Sequence, residues 1–141
     1  MFRLSAKTDY ALRAMMDLAQ HPNERTTLPA IAERQGIPRK FLPTVLNSLT
    51  QAGLVYTIRG YGGGVELSCK PEEISVRQII ECVEGRQIIH DCDSRGVDYC
   101  ARKTDCKLRD LLDRAGGAML EVLEKTSLAD LIPVEEAVAA K

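Results

Sequence analysis

Three cysteines lie close together in a polar stretch in the second half of the chain. Cys92, Cys100 and Cys106 follow the spacing C-x7-C-x5-C, and most residues between them are charged, polar or small. A cysteine with a purely structural role usually sits among apolar side chains, so these three need another explanation. Thiolates carried by one loop are soft ligands that can converge on a single metal centre. Three thiolates leave one coordination position for a weaker ligand or an effector, which indicates a sensor.

The residues alone leave three kinds of chemistry open for this loop. An iron–sulfur cluster would use the three cysteines and one non-thiolate ligand. A zinc site would also need a fourth ligand, and His90 is close in sequence, but zinc sites usually contain a tight C-x2–4-C pair that this loop lacks. The third possibility is plain thiols used for disulfide switching. The wide spacings favour the cluster, and Cys106 stands at the start of a predicted helix, where the helix dipole favours a thiolate. Cys69 and Cys82 are predicted to be structural.

A second candidate feature is the pair Asp9 and Arg13, four residues apart on the first predicted helix. The simpler interpretation is a surface ion pair that contributes less than about 1 kcal/mol. The alternative is that Asp9 reaches the metal centre as the non-thiolate ligand and that Arg13 orients it.

The elements that must position these residues follow a recognisable order. A first helix is predicted over Thr8–Ala19, with Leu12, Met15, Met16 and Ala19 on one apolar face. A second is predicted between the N-cap Thr27 and Gly36, and a third, with Phe41 among its apolar residues, between Pro38 and Gly53, which is helix-turn-helix spacing. A later helix is predicted to start at Ser75, with Gln78 reaching back as its capping partner. Pro43 implies that the third helix begins near it after a tight first turn, or is kinked there. Two β-prone runs around the glycine-rich segment 59–64 then predict a hairpin, which in this position is a wing.

The predicted fold is therefore mainly α with a small β wing: a winged helix-turn-helix head and a long C-terminal dimerisation helix. Residues 1–85 form the head with its following helix, 86–106 the cluster-binding loop, and 106–141 the dimerisation helix and tail. A helix of about twenty residues spans about 30 Å, and its apolar stripe exceeds what a small head can cover. Pairing with the same helix of a second subunit is the simplest way to bury it.

The charge distribution and the polar residues of the head predict DNA binding. Residues 1–70 carry nine Lys/Arg and five Asp/Glu, whereas residues 71–141 carry ten and fifteen. A basic head suits a polyanion. A two-fold dimer would place two recognition helices in successive major grooves about 34 Å apart. Arg59 at the wing tip can enter a minor groove, whose negative potential attracts arginine. The alternative is a wing that contacts a protein. The candidate DNA-binding residues are Arg39, Lys40, Thr44, Asn47, Arg59 and Gly60.

Other classes of protein are disfavoured. The sequence contains no P-loop, no dinucleotide-binding fingerprint and no evident nucleophile–base pair, so an enzyme is not expected. Charged residues interrupt the first twenty positions, and no run of about eighteen apolar residues occurs, so we expect a cytoplasmic protein without membrane contact.

These motifs together resemble the Rrf2-type winged-helix transcription regulators. The resemblance covers the chain nearly end to end. Besides the three-cysteine loop, it is carried by Thr8–Arg13, Ile37–Leu42, Ala52–Val55, Arg59–Val65 and Ser127–Leu131.

The resemblance implies a homodimeric repressor that binds a palindromic promoter site in double-stranded DNA and pairs through the long helix. Members with such a loop carry a [4Fe–4S] or [2Fe–2S] cluster on the three cysteines, here Cys92, Cys100 and Cys106. In some nitric-oxide-sensing members an aspartate in the first helix of the partner subunit completes a [4Fe–4S] site, and Asp9 matches that position. In the iron–sulfur assembly regulators a histidine three residues past the last cysteine completes the site, and here Arg109 stands there. The implied signal is nitric oxide, iron or redox state.

Overall fold

The structure, a computed structural model, describes residues 3–87 and 105–133. Cys92, Cys100 and His90 lie outside the described residues. The described part contains helices and one β-hairpin, confirming the predicted fold class. The elements are α1 (Ala6–Gln20), α2 (Leu28–Gln35), α3 (Leu42–Gln51), β1 (Val55–Ile58), β2 (Gly64–Leu67), α4 (Val76–Glu84) and α5 (Lys107–Lys125), with 3-10 turns at Arg39–Phe41, Pro71–Glu73 and Ala129–Leu131.

The ends of the helices are set by local capping. The Thr27 hydroxyl accepts the N–H of the third residue beyond it at 3.3 Å and starts α2, and Gly36 ends that helix with a φ of 62°, which glycine adopts without strain. Ser75 and Gln78 form a capping box at the start of α4. Each of these caps was predicted from sequence.

The third helix begins at Leu42, with Pro43 in its first turn, where the missing N–H of proline costs little. Of the two sequence alternatives, the tight first turn is therefore the one adopted. Arg39 and Lys40 were predicted near the start of the recognition helix, but they lie on the preceding 3-10 turn. An α-helix extended back through Arg39 would place its carbonyl against the Pro43 ring, since the two residues are four apart.

The core of the head lies between α1, α3 and α4, and α2 and β2 also contact α1. In α1 the predicted inward positions Met15 and Ala19 are buried, whereas Leu12 and Met16 are partly buried against the same core. The largest buried apolar side chains are Met15, Ile31, Leu42, Leu49, Ile74, Ile79, Ile80 and Leu128.

The wing is an antiparallel hairpin in which Val55 faces Leu67 and Ile58 faces Gly64. The backbone of Thr26, between α1 and α2, exchanges two hydrogen bonds with Val65, of 3.2 and 2.8 Å. A Cβ on Gly64 would lie 2.9 Å from the Thr26 carbonyl oxygen, so only glycine fits at this crossing. The base of the wing is thus fixed to the α1–α2 connection.

The long helix α5 is attached to the head at its C-terminal end. Thr126 accepts the N–H of Val76 at 2.9 Å, the N–H of Leu128 donates to Ile74 at 2.8 Å, and the Leu128 side chain is fully buried. In this single chain, as far as the structure describes it, no residue of Lys107–Lys125 is buried. Leu108, Leu111 and Val122 are 56–64% exposed, so these members of the predicted apolar stripe are uncovered in the single chain. Within residues 3–87 and 105–133, no helix is both long and apolar enough to cross a membrane.

Candidate nucleic-acid interface and metal ligands

The outer face of α3 and the turn before it carry the predicted DNA-binding side chains of the helix-turn-helix. Thr44 and Asn47 are exposed, while Val45 and Leu49 on the opposite face are buried in the core. Arg39 and Lys40 are exposed on the preceding turn. The N-terminal end of α3 lies beside them, and a helix N-terminus carries a partial positive charge that favours anions. The arrangement suits a helix whose first residues face a nucleic-acid duplex.

The wing turn presents Arg59 and Gly60 to solvent. Gly60 has a φ of 95°, and its carbonyl accepts the N–H of Gly63 at 3.0 Å, which closes the turn. A Cβ on Gly63 would lie 2.3 Å from the Ile58 carbonyl oxygen, so this position excludes any side chain. Tyr61 at the tip is fully exposed. The glycines thus allow a compact loop that carries Arg59 and Tyr61 outward.

Arg25 holds this loop in place, and sequence reasoning missed it. Its guanidinium donates to the Gly62 carbonyl oxygen at 3.2 Å, and its Nε lies 3.7 Å from the Glu66 carboxylate. The same carboxylate accepts a hydrogen bond from the Tyr56 hydroxyl, which raises the pKa of Tyr56. Arg25 and Gly62 are 37 residues apart, so no local pattern marks the contact.

On α1, Asp9 and Arg13 form the predicted i,i+4 ion pair, with 2.8 Å between Arg13 Nη2 and the Asp9 carboxylate. The Arg13 Nη1 donates to the Gln35 carbonyl oxygen at 2.7 Å, and the guanidinium carbon lies 5.1 Å from the centre of the Tyr10 ring. Arg13 Nε is buried and finds no hydrogen-bond partner among the described residues. Arg13 is therefore held on several sides, while the Asp9 carboxylate faces solvent.

The Tyr10 ring continues these contacts toward the 3-10 turn that carries Arg39 and Lys40. Its centre lies 5.5 Å from that of Phe41, at an interplanar angle of 32°, and Lys40 Nζ lies 5.0 Å from the centre of the Phe41 ring. Sequence reasoning placed Phe41 among the apolar residues of the third helix. It is instead partly exposed at the end of the turn that carries Arg39 and Lys40.

A buried carboxylate fixes α1 against α2. The Asp17 side chain is 1% exposed and accepts hydrogen bonds from Arg34 Nε at 3.0 Å and Arg34 Nη2 at 2.7 Å. Gln35 Nε2 donates to it at 3.1 Å. The hydrogen bonds from Arg34 to Asp17, together with the negative charge of that carboxylate, raise the pKa of Arg34. The pairing fixes the orientation of α2, the first helix of the helix-turn-helix, relative to α1. No local sequence pattern indicated it.

The candidate metal ligands are described only in part. Cys106 is a half-buried free cysteine at the N-cap of α5. Within the described ranges no three His, Cys, Asp or Glu side chains form a group suited to a metal, but Cys92 and Cys100 lie outside them.

Cys82 packs against the core, and burial raises the pKa of its thiol. Cys69 is exposed, so the prediction that it packs as a structural cysteine is wrong.

The whole chain is similar to known proteins. The family model for Rrf2, described as an iron-dependent transcriptional regulator, matches residues 4–133. The "HTH-type transcriptional regulator NsrR" of Bacillus subtilis (strain 168) is 36% identical over 135 residues, which cover 95% of this chain and 92% of that protein. "Protein aau3" of Rhizobium meliloti (strain 1021) is 34% identical over 130 residues, covering 92% and 84%.

Two solved structures share this fold over most of their length. CymR (YrzC), the global cysteine regulator of B. subtilis, has a TM-score of 0.79 and 31% identity, covering 93% of this chain and 96% of its own. T. potens IscR has a TM-score of 0.73 and 32% identity, covering 99% and 91%.

Proposed function

This chain belongs to the Rrf2 family of DNA-binding transcription regulators, and from that premise we propose that it is a homodimeric repressor controlled by an iron–sulfur cluster. The observation that carries the proposal is the C-x7-C-x5-C loop in a chain that matches a family described as iron-dependent. The sensed signal is nitric oxide, iron or redox state, and the protein acts in the cytoplasm. Its partner is a palindromic operator in double-stranded promoter DNA.

The proposed ligands are Cys92, Cys100 and Cys106, completed by Asp9 from the partner subunit. Their chemistry fits the cluster, with a [4Fe–4S] form favoured over [2Fe–2S]. Cys106 is a free, half-buried cysteine at the start of a 19-residue helix. The Asp9 carboxylate is 56% exposed, so a second subunit has access to it. When bound, the cluster supplies an iron site at which an effector can displace the weakest ligand, a carboxylate beside three thiolates.

The chain's own residues convert this binding into DNA affinity. Arg13 orients Asp9 through the 2.8 Å ion pair. A ligated Asp9 joins the first helix of one head to the loop of the other subunit and thereby fixes the angle between the two DNA-reading surfaces. Its release lets the heads move apart. A coupling free energy of about 1–3 kcal/mol changes operator affinity about 5- to 150-fold, which suffices for derepression.

Metal content and absorption test the proposal. Protein purified without oxygen should be brown, with iron stoichiometric to its subunits and a visible charge-transfer band. Cys100→Ser should lose the iron and remain dimeric, whereas Cys69→Ser, which removes an exposed cysteine outside the loop, should keep both. Iron retained by Cys100→Ser would exclude the loop as the ligand set, and a colourless zinc-loaded protein would exclude iron.

A second candidate is a cluster-free regulator of the same fold that uses zinc or the loop thiols. The observation that favours it is the similarity to CymR, described as a cysteine regulator. Iron analysis of air-free protein separates the two, because the thiol-based regulator would bind its operator without iron and respond to a thiol oxidant.

A further inference from the structure

We propose that Phe41 positions the DNA-facing turn and that its contact with Tyr10 couples that turn to the Asp9–Arg13 pair. Arg13, Tyr10, Phe41 and Lys40 form a continuous series of ring contacts, called here the aromatic relay. The relay connects a proposed cluster ligand with a proposed DNA contact. It rests on the proposed function only for the role of Asp9.

The first part of the relay is the Arg13 guanidinium, which contacts three residues at once. One terminal nitrogen binds Asp9 on α1 at 2.8 Å, and the other donates to the carbonyl of Gln35, the last residue of α2, at 2.7 Å. Its face lies over Tyr10 at 5.1 Å. A change in the Asp9 carboxylate therefore acts on a group that also holds the turn of the helix-turn-helix.

The second part is the contact between the two rings. Phe41 is the last residue of the turn that carries Arg39 and Lys40, and its ring lies 5.5 Å from that of Tyr10. Such a pair is more favourable than its buried area alone would make it. Because Phe41 is 41% exposed, the core does not hold its ring on all sides. The contact with Tyr10 is therefore one of those that set where the Phe41 ring lies.

Electrostatics gives the coupling a direction. A carboxylate 2.8 Å from Arg13 partly neutralises the guanidinium, which weakens its attraction to the Tyr10 ring. When the Asp9 carboxylate no longer contacts Arg13, the guanidinium interacts more strongly with the Tyr10 ring and with the Gln35 carbonyl. The position of Tyr10, and through Phe41 that of Lys40, then changes. The state of Asp9 is thus transmitted to the DNA-facing turn within one subunit.

A double-mutant cycle tests this. Operator affinity is measured by fluorescence anisotropy for the full-length wild type, Asp9→Asn, Phe41→Leu and the double variant, each treated with an iron chelator. Phe41→Leu should weaken binding about 2- to 12-fold and reduce the salt slope by up to about 0.9 if Lys40 loses its phosphate. The fold-change in operator affinity caused by Asp9→Asn should be at least halved in the Phe41→Leu background.

Two controls separate positioning from folding. Phe41→Tyr keeps the ring and should retain the wild-type affinity, and Leu4→Ala removes an apolar side chain of similar exposure, 38%, outside the relay and should leave affinity within twofold. Independent effects of Asp9→Asn and Phe41→Leu would overturn the proposal, as would equal losses in Phe41→Leu and Leu4→Ala. The cycle is measured without iron, so its failure is distinct from a failure of the cluster proposal.

Discussion

The buried Asp17 should contribute much more to stability than the exposed Asp9, although both lie on α1 and both pair with an arginine. The relevant nitrogen–oxygen distances are nearly equal, 2.7 Å for Arg34 and 2.8 Å for Arg13. The aspartate side chains differ in exposure, 1% against 56%. Asp17→Asn and Asp9→Asn therefore form a matched pair in which burial is the main variable.

The magnitude follows from the hydrogen bonds to each carboxylate. Asp17 accepts three, two at Oδ1 and one, from Arg34 Nη2, at Oδ2. An asparagine with its oxygen at the Oδ1 position keeps two, so about one bond to a charged group is lost, at about 1.5–3 kcal/mol, together with the charge that compensates Arg34. Arg34 is 37% exposed and regains some hydration, so the expected total loss is about 2–4 kcal/mol. Asp9→Asn should cost less than about 1 kcal/mol.

Urea unfolding followed by far-UV circular dichroism measures both losses. The protein is treated with a chelator, so that a bound metal does not stabilise one variant more than another, and all variants are compared at one concentration because assembly adds a concentration-dependent term. Equal losses in the two variants would refute the reasoning, since burial would then not decide the strength of the pair.

Three further outcomes are expected. Arg59→Ala should weaken operator binding and reduce the salt slope by about 0.9 if the side chain contacts one phosphate, measured by anisotropy between low and moderate salt. Leu111→Asp should dissociate the dimer in analytical ultracentrifugation, because it places a charge on the exposed stripe of α5. Glu84 accepts hydrogen bonds from Ser5 and Thr8, which lower its pKa from 4.5. The ionised Glu84 carboxylate therefore stabilises the fold at pH values above 4.5, and this stabilisation is lost as the pH falls through the lowered pKa of the folded protein. The difference in urea midpoint between wild type and Glu84→Gln should therefore shrink below about pH 5.

Each of these has a contrary result, and the first two also have a control variant. Lys125→Ala, on α5, should leave the salt slope unchanged, and an unchanged slope in Arg59→Ala would exclude a phosphate contact. Glu124→Ala should remain dimeric, and a dimeric Leu111→Asp would place the interface elsewhere. A Glu84→Gln difference that is independent of pH would show that the carboxylate charge has no part in the bond.

Features decided by neighbouring residues could be predicted from the sequence. The caps at Thr27, Gly36 and Ser75, the hairpin and the Asp9–Arg13 pair each depend on residues within a few positions. The start of the third helix remained ambiguous because Pro43 permits either a short first turn or a kink, and only the packing of the turn distinguishes them.

Features decided by distant residues could not be predicted. The pairing of Asp17 with Arg34 could not be foreseen, because Arg34 is 17 positions away on another helix. Phe41 looked like a core residue because it precedes an apolar run, yet it pairs with Tyr10 across the head. The arrangement of the candidate metal ligands is equally non-local, since in the proposed site it depends on a loop and on a second subunit.

The attachment of α5 has a mechanical consequence. The helix is fixed to the head near Thr126 and Leu128, and Cys106 lies at its other end. Nineteen residues give a lever arm of about 28 Å. A pivot of about 10° at the fixed end therefore displaces the Cys106 end by about 5 Å. Conversely, a small force applied at Cys106 acts on the head with a large torque. Small displacements of the Cys106 end therefore rotate the head more readily than they stretch the helix.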